Sequence, residues 1–390
     1  MQKKTLAVVT GTRAEYGLLR PVIQKLLCSQ TLRVQVLVTG AHLAPEYGST
    51  VTEIEADGVP IAARIPILKF RGPLATADTV ACAIGQFSRW FWEQRPACCL
   101  VLGDRYEIFA AAQAAAYAGV PVAHISGGDV TLGAADDWYR HCITKIAHLH
   151  FPSCAEYAAR VVRMGEAPAT VFNVGGLGDE NIRTMKKMTR AELGESLGFE
   201  LVGPFGLVTF HPETAGAAAP EAQMAELLAA LDETRGLKWL VTKANADAGG
   251  AAINAMLDHW AADRPEKAAV FASLGVKRYL SAMGYAAVVA GNSSSGVVET
   301  PTFGVPAVNI GTRQAGRILC ENVLCCPAEK EAIGAALRTA LTPAFREKAR
   351  TAVSPYNGGD TSGRIVRVLE EKLLEPGFGA PKVFYDGERG

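Results

Sequence analysis

At roughly 150 residues per domain, a chain of 390 residues is expected to hold two or three domains. Hydrophobic residues make up 49% and charged residues 20%, an ordinary balance for a globular protein with a large core. Lys+Arg and Asp+Glu both number 39, so no global field recruits nucleic acid or a membrane, and an anionic ligand needs a local cluster.

Leu6 to Thr10 reads as a buried strand, and Gly11 to Gly17 as the loop after it. Leu18 to Leu27 has helical apolar spacing, and Val34 to Thr39 is the next strand. Cys98 to Leu102 is a short apolar run that stops at Gly103-Asp104; Val120 to Ile125 is another, stopping at Ser126-Gly127-Gly128-Asp129. The Ala-rich stretch 111–117 between them is helical, and Asp136 to Leu149 is a further helix with Asp136 and Asp137 in its first turn. Phe151-Pro152 and the glycines at 175, 176 and 178 bracket a domain boundary. The pattern then restarts. Strands are expected at Gly206–Phe210, Trp239–Thr242, Ala287–Ala290 and Val305–Ile310, with a helix at Met224–Leu231. Residues 375–390 read as a loose tail rich in Gly and charge.

Strands alternating with helices imply right-handed βαβ units and parallel sheets. The expected fold is α/β, two Rossmann-like domains facing across a cleft. The first spans 1–172, the second 173–362, and 363–390 is a C-terminal helix and tail returning to the first. Nine scattered cysteines without C-x-x-C or zinc spacing suit reduced thiols in the cytoplasm. Leu6 to Thr10 is too short for the core of a signal peptide, and no stretch is long enough to span a membrane. No G-x-G-x-x-G fingerprint is found, which disfavours a nicotinamide-dependent dehydrogenase.

In an open parallel sheet, ligands bind outside the carboxyl ends of the strands. Sequence order therefore puts Asp104, Asp129 and Asp136 on one rim, suited to acid/base work on a sugar. Asp136 and Arg140 are four apart and share a helix face; alone, that spacing also suits a helix-end charge with a surface ion pair. Asp137 reads as a solvated neighbour, His124 as a packed core histidine, and Glu15 and Tyr16 as shapers of the first loop. In the second half, G-N-S-S-S-G-V-V-E at 291–299 is the best anion-binding signal. Hydroxyls of Ser293 and Ser294 and the N–H groups of a following helix can donate to phosphate. Glu299 can accept from a ribose, and Arg313 offers a second fork for phosphate oxygens. A Ser/Gly turn with a capping serine explains the same residues taken singly.

Seven motifs then occur in order. They are G-T-R-A-E-Y-G, L-G-D-R-Y-E, H-I-S-G-G-D, D-D-W-Y-R-H-C-I-T-K, F-H-P-E-T, G-N-S-S-S-G-V-V-E and N-I-G-T-R-Q-A-G-R. Over residues 4–366 the chain resembles the hydrolysing UDP-N-acetylglucosamine 2-epimerases of sialic-acid and legionaminic-acid biosynthesis. The resemblance implies the GT-B glycosyltransferase-like fold, no metal, no cofactor and a homodimer or homotetramer. It implies release of UDP with inversion at C2 of the sugar. The implied catalytic group is Asp104, Asp129, Asp136 and His211. Implied for the substrate are Arg13, Arg105, Arg140, Asn245, Ser293, Ser294, Glu299 and Arg313, with the base held around Ser273 and Leu274. Asp129 stands where the family has Glu, one methylene longer. The reversible, non-hydrolysing epimerases carry H-V-E-A-G where this chain has H-I-S-G-G. Two other readings share the nucleotide site: a GT-B glycosyltransferase, and a catalytically silent sugar-nucleotide sensor.

Overall fold

The computed structural model describes residues 3–69, 74–131, 135–213, 219–244 and 250–387. The chain divides into two compact units, Met1–Val130 with Ala134–Asn181 and Tyr356–Gly390, and Thr131–Gly133 with Ile182–Pro355. Among the described residues, no helix is long and apolar enough to cross a membrane.

The first unit holds six strands: β1 (Lys4–Thr10), β2 (Leu32–Thr39), β3 (Ile61–Ile65), β4 (Cys98–Leu102), β5 (Val122–Ile125) and β6 (Leu149–Phe151). They pair in parallel in the order β3-β2-β1-β4-β5-β6. Successive side chains of a strand point to opposite faces, so each face takes alternate residues. Leu6 and Val8 pack with Leu19, Val22 and Ile23 of the helix Arg13–Leu27. Ala7 and Val9 pack on the other face with the alanines of the helix Tyr106–Tyr117. The helices that follow β1 and β4 thus leave toward opposite faces, which opens a crevice at the carboxyl ends of these two neighbours.

The second unit repeats the plan with β7 (Phe205–Thr209), β8 (Lys238–Thr242), β9 (Ala268–Phe271), β10 (Val288–Gly291), β11 (Ala307–Ile310) and β12 (Val323–Cys326), ordered β12-β11-β10-β7-β8-β9. Here the strand order reverses between β7 and β10. Val208, Trp239 and Val241 face one helical layer, while Phe205, Leu207 and Leu240 face the other.

Two local expectations are corrected. The stretch 11–17 is not a free loop: the helix begins at Arg13, because the Thr12 hydroxyl accepts from the Glu15 N–H at 3.3 Å and caps it. The reading of 375–390 as a loose tail is also corrected as far as that segment is described, while the helix before it packs on the first unit. Helix Thr361–Lys372 inserts Ile365, Val366 and Leu369 into the core of the first unit. Lys382 Nζ then reaches the buried Glu166 carboxylate at 2.6 Å, and the Tyr385 N–H donates to the Gly165 carbonyl at 3.0 Å. Burial alone would raise Glu166; hydrogen bonds from His150, Lys145 and Lys382 bring it down to about 2 instead.

In central strand β7, a Cβ at Gly206 would sit 2.1 Å from the ring of Trp239, itself fully buried. Gly206→Ala is expected to destabilise the protein by about 1–3 kcal/mol through overpacking, read as a lower urea midpoint.

Candidate active site

In the first unit, Gly103 turns the chain out of β4 at φ +78°, and Asp104 follows. Beyond β5 the chain passes through Gly128 at φ +90°, where a Cβ would lie 2.5 Å from the Tyr157 carbonyl oxygen. Only glycine fits this close approach, and it delivers Asp129. Arg140 of the helix Ala135–Ile146 is 4% exposed and ties both strand ends together. Its Nε donates to Asp104 Oδ2 at 2.9 Å, and Nη2 donates to the same oxygen. Nη1 donates to the Asp129 carbonyl at 2.9 Å and to Asp137 Oδ1 at 3.2 Å. Asp137, read from sequence as a solvated neighbour, is instead paired with Arg140 and lies 3.4 Å from His141 Nε2. Asp136 stands exposed one position earlier. Partial desolvation, and after it the Asp104 charge, push its carboxyl up from the ordinary range.

His124 is fully buried, as expected of a core histidine. Its Nε2 lies 2.8 Å from the Gly103 carbonyl, which can only accept, so Nε2 carries the hydrogen and Nδ1 accepts from the Thr144 hydroxyl at 3.2 Å. It is a strut for the turn that presents Asp104. The Arg13 guanidinium is paired at the surface with Glu53 at 2.8 Å. Arg105 Nε donates to the buried Glu107 at 2.5 Å.

In the second unit, three loops are laced together. The His211 N–H donates to Asn292 Oδ1 at 2.7 Å, and Asn292 Nδ2 returns a bond to the His211 carbonyl at 2.8 Å. The Asn292 carbonyl accepts from Gln314 Nε2 at 2.8 Å and Arg313 Nη1 at 3.3 Å. Glu213 Oε1 accepts from the N–H groups of Thr312 and Arg313 at 2.8 and 2.9 Å. Gly291, at φ +133°, makes the sharp exit from β10; a Cβ there would be 1.9 Å from the Thr209 carbonyl oxygen. This lacing gathers His211, Ser293 and Arg313 at the carboxyl ends of β7, β10 and β11. Asn292, Glu213 and Gln314 were not singled out from the sequence. Each lies inside a recognised motif, but its partner is 21 to 100 residues away, so no local spacing reveals its role.

Ser293 Oγ accepts from the Ser295 N–H at 3.4 Å, and the Ser294 carbonyl accepts from the N–H groups of Val297 and Val298. The helix expected to follow is a single turn, Ser295–Val298, so Glu299 lies at its junction with a second short helix, Thr300–Phe303. The Ser295 hydroxyl donates to Glu299 Oε2, and burial pushes the Glu299 carboxyl up. Ser273 follows edge strand β9; its exposed side chain accepts from the Gly275 N–H at 3.1 Å. Leu274 is buried. Asn245 lies outside the described residues. Among the described residues, no group of three or more His, Cys, Asp or Glu side chains is placed to hold a metal ion.

Two Rossmann-like units, each with its polar side chains at the carboxyl rim of a parallel sheet, define a protein of the GT-B-like fold class. The family model described as UDP-N-acetylglucosamine 2-epimerase matches residues 24–370. The chain is 37% identical over 325 residues to the GDP/UDP-N,N'-diacetylbacillosamine 2-epimerase (hydrolyzing) of Campylobacter jejuni, covering 83% of this chain and 84% of that protein. It is 34% identical over 373 residues to the UDP-N,N'-diacetylbacillosamine 2-epimerase (hydrolyzing) of Legionella pneumophila, covering 94% and 96%. The crystal structure of the Neisseria meningitidis UDP-GlcNAc 2-epimerase bound to UDP-GlcNAc matches with a TM-score of 0.73 at 16% identity, covering 94% of this chain and 100% of that one. The chain belongs to the hydrolysing UDP-N-acetylglucosamine 2-epimerase family, and it is an enzyme that acts on a sugar nucleotide.

Burial pushes His124 down to about 3, whereas an unfolded histidine titrates near 6.5. Below pH 6.5 the unfolded chain takes up a proton that the folded state refuses. Stability present above pH 6.5 is therefore lost as pH falls toward 3, by up to about 1.4 kcal/mol per pH unit for this group. Urea midpoints measured from pH 7 to 4 are expected to fall less steeply in His124→Gln than in the wild type.

Proposed function

We propose that the protein hydrolyses a UDP-linked 2-acetamido sugar to UDP and the free 2-epimeric manno sugar. UDP-2,4-diacetamido-2,4,6-trideoxyhexose is the preferred substrate and UDP-N-acetylglucosamine the alternative. The relatives at 37% and 34% identity carry the diacetamido sugar in their names, which favours the first. The observation that carries the reading is the Asp104–Arg140–Asp129 tie with Asp136 beside it, at the carboxyl ends of β4 and β5 in a chain of this family.

In an α-linked substrate, the UDP at C1 and the hydrogen at C2 are axial on opposite faces, which suits anti elimination. The C1–O bond breaks, UDP leaves with the electron pair, a carboxylate takes the C2 proton, and a C1=C2 glycal forms. The C2 hydrogen becomes acidic only as C1 gains positive character, so the departing diphosphate needs a cationic and hydrogen-bonding grip. Arg13 and Arg105 are the first unit's candidates for that grip, and Ser293, Ser294, Arg313 and His211 are the second unit's candidates for holding a diphosphate. In the second step a proton is delivered to C2 from the other face, and water adds at C1 while giving its proton to a base. Two faces require at least two acid/base groups. Asp104, Asp129 and Asp136 provide them, and Asp136, with its raised pKa, is suited to carry the proton. Glu299 takes the ribose, and the base lies near Ser273 and Leu274, with Asn245 on the nucleotide. All nine cysteines are free thiols, which supports a cytoplasmic site of action. The free sugar feeds nonulosonic-acid synthesis of the sialic or legionaminic type.

Proton NMR in D₂O with UDP-2,4-diacetamido-trideoxyhexose, its GDP counterpart and UDP-N-acetylglucosamine tests the reading. The expected products are the nucleoside diphosphate and a free manno sugar carrying deuterium at C2, made without any acceptor. A product that keeps its C2 hydrogen, or no free sugar from any of the three, would defeat it. Asp104→Asn should lower kcat by about 10²–10⁴-fold and, because the buried Arg140 loses its charged partner, lower the unfolding free energy from urea titration by about 1–3 kcal/mol.

A further inference from the structure

β1 and β4 are the neighbours at which the strand order of the first sheet reverses. Two carboxyl side chains are buried just beyond their ends, Glu15 at 6% exposure and Glu107 at 1%. One oxygen of each is engaged. Glu15 Oε2 accepts from the Gly11 N–H at 2.9 Å and from the Thr12 hydroxyl at 3.3 Å. Glu107 Oε1 accepts from Arg105 Nε at 2.5 Å. The other oxygens, Glu15 Oε1 and Glu107 Oε2, are buried with no hydrogen-bond partner among the described residues. Both side chains crowd one spot. A Cβ built on Gly11 would stand 2.9 Å from Glu107 Cγ, 3.2 Å from Glu107 Oε1 and 3.2 Å from Glu15 Oε2.

Two ionised carboxylates in so little space, out of water and beside one guanidinium, would repel at low dielectric. A carboxylic acid removes one of the charges and supplies a donor for an orphaned oxygen. Burial, and after it the Glu107 charge, push Glu15 up to about 8, against the opposing pull of the Gly11 N–H, Arg105 and the Thr12 hydroxyl. The surrounding elements add little counter-charge. Arg13, on the same helix as Glu15, is engaged with Glu53 at 2.8 Å. His42, whose N–H donates to the Gly11 carbonyl, is pushed down to about 4 by burial and stays neutral. Tyr106 acts on Arg105, and Asp136 feels both Arg105 and Glu107.

We propose that Glu15 and Glu107 hold a single proton between them, carried on Glu15, and that the pair is a positioning device leaving Glu107 as the counter-ion that aims the Arg105 guanidinium at the substrate diphosphate. The aiming half rests on the diphosphate role given to Arg105 above; the shared proton does not.

Glu15→Gln and Glu107→Gln separate the two halves. Glutamine keeps the shape of a carboxylic acid and does not titrate. An unfolded Glu15 ionises near pH 4.5, and the folded one only near 8, so wild-type stability from this group is lost as pH rises between those values. The thermal midpoint of E15Q should therefore gain steadily on the wild type from pH 5 to 8.5. A difference that stays constant over that range overturns the shared proton. Calorimetric binding of UDP at pH 7 tests the aiming. E15Q should bind within about threefold of the wild type, and E107Q about tenfold or more weakly. Arg105→Gln should match E107Q, and Glu107→Asp, which keeps the charge, should recover part of the loss even if E107Q folds poorly. Equal losses in E15Q and E107Q, or wild-type affinity in E107Q, overturn the positioning role. A wild type that binds no UDP would overturn the aiming half together with the reading it rests on, while the thermal difference would still decide the proton.

Discussion

Each sheet reverses its strand order once, and at that point two adjacent strands send their chains to opposite faces. Backbone groups beyond the last ladder bond then have no neighbouring strand to pair with, and they are too buried to be left to water. The two units meet this constraint with different chemistry. In the second, a neutral amide does it: Asn292 and the His211 backbone exchange two hydrogen bonds at 2.7 and 2.8 Å. In the first, a carboxyl does it: Glu15 accepts from the Gly11 N–H at 2.9 Å beside a second acid. A neutral amide is indifferent to pH, whereas a carboxyl pair is not. The first unit, which holds the proposed acid/base groups, is thus also the one whose switch point is built from ionisable side chains.

Arg140 plays the organising part for the acids. One buried guanidinium holds the Asp104 side chain, the Asp129 backbone and the Asp137 side chain, which come from three separate segments. Its planar fork suits this better than an ammonium would, since each bond has a fixed direction. Charges held in place before substrate arrives need no rearrangement as the reaction proceeds. His124, kept neutral by burial, stiffens the same region from below through the Gly103 carbonyl.

Much of this was legible in the sequence, and the exceptions have physical causes. Inner parallel strands are buried on both faces and appear as unbroken apolar runs, so these were placed to within a few residues, whereas the edge strands β3, β6, β9 and β12 were missed. Only the start of the first helix was missed, because it is set by the Thr12 capping hydroxyl inside a polar stretch, where apolar spacing is silent. Asp104 and Asp129 stood out by position after strands, and Asp136 by its place at the start of a helix. Glu15, Glu107, Glu213 and Asn292 did not, because their importance comes from burial and from partners that only folding brings near. The tail was misjudged for the same reason: its composition is that of a loose end, yet Lys382 finds a buried carboxylate.

The helix Thr361–Lys372, with Leu373 just after it, completes a hydrophobic core whose other buried members lie between Leu6 and Leu177. During synthesis the amino-terminal half is therefore released from the ribosome lacking a wall, and must wait for Ile182 to Pro355 of the other unit before that wall emerges. The intervening unit, which beyond Thr131–Gly133 runs unbroken from Ile182 to Pro355, has no such delay and can mature first. Translation order and folding order would then be opposite, with the unit begun earliest finished last.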